Sequence, residues 1–523
     1  MDDSRLTILQ MRLDGIAQAM QDTLFRCAVS PVVREGNDAA AALMAADGEL
    51  LALSDAIPLL LGALQGSVEA ILSHYPADTM RPGDLYFMND PYSGGTHLPD
   101  ITVVMPVFAG PSLIGLAATI LHHQDVGGIR AGSVPPDAVE IFQEGLRVPP
   151  MRLGQGGAVD PAIKRLIEAN SRAPATVLGD IGAQIAAANR AAEALGTLAS
   201  ELGTDGFLAS TAACRDRAEA QIRAVIGALP PGPFFGLDGL DPTPGLPDID
   251  VHARLTCADG HFDVDFTGTT PQVAAPINCV RSGPLAAVFY ALLSLAGPAL
   301  LRNGGVLRAI RLTLPEACII NARPPAAVNA RMGVVRATTS AVLQAVAQAA
   351  PEQMPAANSG MSYVLAFSGR YDDGAPFLVT EIIAGGAGGG PRSDGAPGIS
   401  TDVGNAMNMP AEALEGMIPV RLVSAQIRQG SGGTGRYRGG DGICRVYEAL
   451  ADAIAVSLRG ERFHRVPEGL RGGSAPAHSQ ARILRANGTQ DVLSSRSAVT
   501  LDKGDRLVVE SSGGAGYGVP GIG

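Results

Sequence analysis

Apolar residues in the first 28 positions recur at three- and four-residue intervals. Leu6, Leu9, Leu13, Ile16, Met20 and Leu24 fall on one face of an amphipathic helix over residues 4–28. The segment AAALMAADGELLALS then reads as two short strands around the Asp47-Gly48 turn. A helix through LQGSVEAILSHYP stops near Pro76. Two apolar runs, 101–108 (ITVVMPVF) and 113–121 (LIGLAATIL), flank Gly110-Pro111-Ser112 and suit an antiparallel hairpin. Ala-rich helices extend to about residue 228, and the Pro/Gly-dense stretch 229–248 marks a boundary. Beyond it, strands such as ARLTC and HFDVDFTG alternate with helices near 284–296 and 336–350. From about residue 360, short β runs alternate with Gly-rich turns. The pattern predicts an α+β chain of two regions: an α-rich half, 1–235, and a β-rich, Gly-rich half, 236–523.

Composition narrows the function. A chain of 523 residues exceeds one core, and its 65 Gly and 37 Pro imply many turns and tight loops. The net charge of −12 argues against nucleic acid or an anionic membrane as partner, since either needs a basic face. Lysine occurs only at 164 and 503, and neither follows a glycine-rich loop. Schiff-base chemistry and a P-loop ATP site are therefore not expected in this chain. The six cysteines show no CxxC spacing and read as buried thiols of a reducing compartment. The acidic start MDDSRL is unlike a signal peptide, and the uncharged run 284–301 is broken by Gly297-Pro298. A cytoplasmic location with no membrane span is the expectation.

Candidate chemistry gathers in one place. Three of the eight histidines, His97, His122 and His123, stand near Asp90, Asp100 and Asp125, in NDPYSGGTHLPD and HHQDVGG. Pro99 disfavours a helical turn there, so His97 and Asp100 project from a loop. If Ala109 pairs with Leu113, Asp100 stands opposite His122 at the hairpin's open end. Two imidazoles and a carboxylate then converge, a ligand set for Zn, Mn or Fe. The alternative is a set of polar strand-end residues bonded to backbone. Other signals are weaker. Residues 430–435 match GxGxxG, but RYRGGDG follows where a helix is required. The run Gly385 to Gly390 suits close backbone packing or a substrate loop. No GxSxG nucleophile elbow occurs.

The stretch GDLYFMNDPYSGGTHLPDITVVMPVF with HHQDVGG resembles the hydantoinase B/oxoprolinase family. So do LFRCAVSPVVREGND, EGLRVPPMRL, GDIGAQIAAA, VDFTGTTPQVAAPINC, SGGTGRYRGGDGICR and the terminal GGAGYG. The resemblance implies the metal-bearing subunit of an ATP-dependent cyclic amidohydrolase that opens a hydantoin, 5-oxoproline or lactam ring. It also implies a hetero-oligomer in which a hydantoinase A-type ATPase subunit consumes ATP and phosphorylates the cyclic amide. A ketone carboxylase subunit and a non-catalytic scaffold are the alternatives. Carried over from the family, the divalent metal falls to Asp38, His97, Asp100 and His122, with Asp125 as proton acceptor or supporting partner and His123 flanking. Arg172, Asp180 and Gln184 either line the pocket or make structural pairs. Leu60 and Asp402 stand where relatives usually carry His.

Overall fold

Burial on both faces explains the continuous apolar runs of the first sheet. In the computed structural model, which describes residues 3–521, seven antiparallel strands lie in the order β2-β1-β5-β4-β3-β6-β7. They are β1 (Ala39–Met44), β2 (Leu50–Leu53), β3 (Leu85–Met88), β4 (Asp100–Ala109), β5 (Ser112–His122), β6 (Met151–Gln155) and β7 (Ala158–Val159). All six residues of β1 are buried. Helix α1 (Asp3–Cys27) buries Leu6, Leu9, Leu13, Ala17, Met20 and Leu24 in the core on one face; of the stripe expected from periodicity, Ile16 is only partly buried against it. Helices α2 (Pro31–Arg34), α3 (Pro58–His74), α4 (Pro161–Asn170), α5 (Pro174–Leu202) and α6 (Thr204–Gly227) follow. Helix α5 crosses β4 and β5, while α3 contacts β1, β3, β4 and β5 without joining the α1/α5 core. A strand covered on both faces needs no polar alternation.

The hairpin has the expected register by an unexpected route. Asp100 pairs with His122, but Ala109 pairs with Ser112 rather than Leu113. A bulge between Val107 and Phe108 absorbs the extra residue. The tighter turn alone would have shifted the strand by one and sent every side chain to the other face.

The chain divides into two units that it visits alternately. The first takes Met1–Pro233, Leu255–Thr267 and Pro271–Arg331; the second takes Phe234–Arg254, Gly268–Thr270 and Met332–Gly523. The first unit thus reclaims most of 255–331, past the boundary expected at 235. There the strand His261–Asp265 pairs in parallel with Ile310–Thr313, and the helix Ser282–Ala296 packs on α3. The second unit holds two antiparallel sheets whose apolar residues, including Leu365, Phe367, Tyr447, Leu458, Ile483 and Leu507, form one core. Among the described residues no helix is long and apolar enough to cross a membrane.

Candidate metal centre

Three neighbouring strands end together. Asp38 precedes β1, His122 closes β5 and Asp100 opens β4, so the three stand in a row across the sheet order β1-β5-β4. Backbone bonds fix the row: the His122 N–H donates to the Asp38 carbonyl at 3.1 Å, and the His123 N–H to the Pro99 carbonyl at 2.8 Å. His97 arrives from the preceding loop, where Asp100 N–H returns to its carbonyl at 3.0 Å. That loop can press against α3 because Gly94, at φ +115°, has no Cβ; one would stand 2.4 Å from the Gly66 carbonyl.

Potential ligand atoms of His97, Asp100 and His122 lie within 4.8 Å of one another. The two rings meet edge to face, centroids 5.1 Å apart at 63°. His97 Nε2 is 3.0 Å from Asp100 Oδ1. The other ring nitrogen, Nδ1, lies 3.1 Å from the Asn329 main-chain carbonyl. A carbonyl only accepts, so Nδ1 carries the proton and Nε2 of the neutral ring presents a lone pair. Asp100 Oδ2 is engaged by Thr96 Oγ1 and by an Arg331 nitrogen at 2.8 Å, which leaves Oδ1 as the free lobe. His97 Nε2, Asp100 Oδ1 and His122 Nδ1 are all buried without a hydrogen-bond partner. A cation between them would satisfy these unpaired atoms, which burial otherwise leaves at a cost.

That cation is poorly supplied by a proton on His97. Burial, with the nearby Arg331 charge, pushes the His97 imidazole down to about 4 despite Asp100. Burial works to raise Asp100, yet His97 and Arg331 outweigh it and hold the carboxyl well below the usual carboxylate range. The donor set, two imidazoles and an ionised carboxylate, with His97 Nδ1 and Asp100 Oδ2 bonded behind, fits a borderline divalent metal.

Other expected residues lie differently. Asp38 is half-buried at the rim and does not join the three within 4.8 Å. Burial raises its carboxyl to about 6, against the pull of His122. Asp125, expected as a proton acceptor, has both oxygens occupied. Oδ1 takes the N–H groups of Gly127 and Arg172, and Oδ2 takes Gly132 N–H and the Arg172 guanidinium. It organises its loop. His123 is fully buried, its Nε2 3.3 Å from Gln184 Oε1, and burial lowers it to about 4. Gln184 donates to the Ile101 and Thr119 carbonyls, and Asp180 accepts from Val29 and Ser30 N–H. Arg172, Asp180 and Gln184 are therefore structural pairs. A cavity of about 620 Å³ runs along the 126–128 loop beside the Arg147–Asp90 pair, but none of the three converging residues lines it. Five of the six cysteines are buried, all six unpaired, and burial pushes the Cys279 thiol up to about 12.

Of the two positions where the resemblance implies His, Leu60 is buried in α3. Asp402, in the second unit at φ +56°, is buried and accepts from the Asn358 amide. The residues that sequence reasoning missed are Thr96, Glu144, Asn329 and Arg331. Thr96 sat inside the motif already singled out. Asn329 and Arg331 lie more than 230 residues downstream and carry no local signal.

Fold and site together define an α+β protein whose antiparallel strand ends gather two imidazoles and a carboxylate into a buried, acceptor-only cluster. The chain belongs to the hydantoinase B/oxoprolinase family, whose pattern matches residues 2–520. It is 31% identical over 527 residues to an uncharacterised protein of Methanocaldococcus jannaschii, covering 99% of this chain and 91% of that one. It is 30% identical to 5-oxoprolinase 1 of Arabidopsis thaliana, covering 99% of this chain but only 42% of that protein's length. A crystal structure of ATP-dependent caprolactamase from Pseudomonas jessenii matches with a TM-score of 0.91 at 26% identity, covering 99% of this chain and 92% of that one.

Proposed function

We propose that this chain is the metal-bearing subunit of an ATP-dependent cyclic amidohydrolase. Its substrate would be a hydantoin, 5-oxoproline or lactam ring, activated by phosphorylation in a partner ATPase subunit. One observation carries the reading: the unpartnered lone pairs of His97 Nε2, Asp100 Oδ1 and His122 Nδ1 turn toward one point. A divalent cation held there supplies Lewis acidity, which polarises oxygen and acidifies water near neutral pH.

The chain's own residues prepare that point. Asn329 keeps the proton of His97 on Nδ1, while Thr96 and Arg331 fix the carboxylate of Asp100 so that one lobe stays free. Half-buried His122 leaves the cluster open on one side, where a ring can approach. An amide is a poor electrophile, and phosphorylating its oxygen supplies a leaving group. The ATP step is assigned to a partner because both lysines lie away from any phosphate cradle; Lys164 is an exposed helix residue near Glu168. The similar caprolactamase is ATP-dependent, which supports an ATP-requiring reaction.

The test reconstitutes the complex and screens cyclic amides for ATP consumption and ring opening. His97→Ala or Asp100→Ala should abolish ring opening while the partner still hydrolyses ATP. Full turnover in either variant contradicts the proposal. Incorporation of labelled bicarbonate would reassign the chain to ketone carboxylation.

A further inference from the structure

The acceptor cluster is held from behind by residues 328–331, and that segment is itself anchored by a carboxylate outside the cluster. Glu144, fully buried, follows the short 3₁₀ turn Ile141–Gln143. Its Oε2 accepts the Val328 N–H at 2.9 Å and its Oε1 the Asn329 N–H at 2.8 Å. A two-pronged grip on consecutive amides fixes the 327–328 and 328–329 peptide planes and so anchors Asn329, whose carbonyl lies in the next plane. The carbonyl meets His97 Nδ1 at 3.1 Å. The Asn329 side chain tightens the same joint: its Oδ1 accepts the Leu98 N–H at 3.2 Å, and its Nδ2 donates to the Ser133 carbonyl. Two residues on, Arg331 reaches Asp100 Oδ2.

We infer that Glu144 is a positioning residue. Through the Asn329 carbonyl it determines which ring nitrogen of His97 bears the proton, and so keeps Nε2 open to a divalent cation. The metal part of this inference rests on the function proposed above; the tautomer part does not. A neutral imidazole has two forms of similar energy, and only the form protonated at Nδ1 offers a ligand atom toward Asp100 and His122. Loss of the anchor frees Asn329 to shift and its carbonyl with it, and the preference goes as well. Groups standing behind metal ligands in this way commonly change metal affinity 10–100-fold when removed.

The test uses full-length, metal-free protein labelled with ¹⁵N at histidine, with His97 assigned by difference from His97→Gln. Wild type should show His97 as a single form protonated at Nδ1. Glu144→Ala should show both forms and bind zinc, in competition with a chelator, about 10–100-fold more weakly. Glu144→Gln, whose amide oxygen can still accept one of the two N–H groups, should fall between. A folded Glu144→Ala with the wild-type tautomer and zinc affinity overturns the inference. If that variant does not fold, wild-type values in Glu144→Gln overturn it. Unchanged zinc affinity in Asp100→Ala and His122→Ala would instead remove the metal reading, leaving the tautomer to judge Glu144 alone.

Discussion

At the ends of β5 and β4 and in the loop before β4, three side chains converge and the backbone serves to place them. In the second unit the relation reverses: segments 385–390, 431–440 and 512–518 approach so closely that several positions have no room for a Cβ. A Cβ on Gly386 would stand 1.9 Å from the Gly440 carbonyl, and one on Gly439 would stand 1.8 Å from the Gly514 carbonyl. One on Gly514 would stand 2.0 Å from the Ala387 carbonyl. These backbones bond one another directly, as in Gly433 N–H to Gly514, Gly514 N–H to Gly440 and Gly440 N–H to Ala387. Apart from Gly518, at φ +75°, the glycines serve steric closeness there rather than unusual dihedrals. The first region leaves polar atoms unpaired, a cost that function explains. The second pairs its backbone polar groups, and its residues serve the fold.

Substitution should separate the two regions. The largest effect on folding is expected from Gly514→Ala, because the added carbon meets fixed main chain. Overpacking costs about 1–3 kcal/mol where side chains can yield, and more where only backbone can move. Urea unfolding and limited proteolysis should show the second unit loosened, with metal binding in the first retained. For activity the order inverts. His97→Ala should lower ring opening by about 10³-fold or more, the several kcal/mol at stake in Lewis-acid chemistry. Its thermal midpoint should also fall, since the variant empties a buried site and leaves the Asn329 carbonyl without its His97 partner.

A smaller effect concerns pH. Burial raises the Glu144 carboxyl from 4.5 to about 7, against the Val328 and Asn329 N–H bonds. The folded state therefore holds a proton that the unfolded state releases between pH 4.5 and 7, and stability from this group falls as pH rises through that window. Relative to Glu144→Gln, wild type should lose on the order of 2–3 kcal/mol across it, measured by denaturant unfolding at each pH. The smallest effect is a stabilisation. Gly182 is an exposed residue of α5 with nothing within 4 Å of a Cβ, so Gly182→Ala should gain about 0.5–1 kcal/mol.

The same contrast governs what could be read in advance. Helix α1 and the hairpin follow from local periodicity, which one stretch of chain specifies by itself; the facing of Asp100 and His122 was expected only from an assumed Ala109–Leu113 pairing. The bulge at Val107/Phe108 does not follow from periodicity, because it depends on where the turn closes. The glycine runs announced either packing or a substrate loop, and only their neighbours in space decide for packing. Asp125 looked like chemistry because it follows two histidines, yet Arg172 and three main-chain N–H groups occupy it. The residues behind the cluster were the least legible. Asn329 acts through its main-chain carbonyl, which no residue code reveals, and Glu144 through amides more than 180 positions away.

The central claim is that a divalent cation belongs among His97, Asp100 and His122. Anomalous diffraction from crystals of zinc- or manganese-loaded protein tests it most directly. The expected result is one peak about 2.0–2.2 Å from His97 Nε2, Asp100 Oδ1 and His122 Nδ1. A map with no peak there, or with the ion held elsewhere by other side chains, would contradict it.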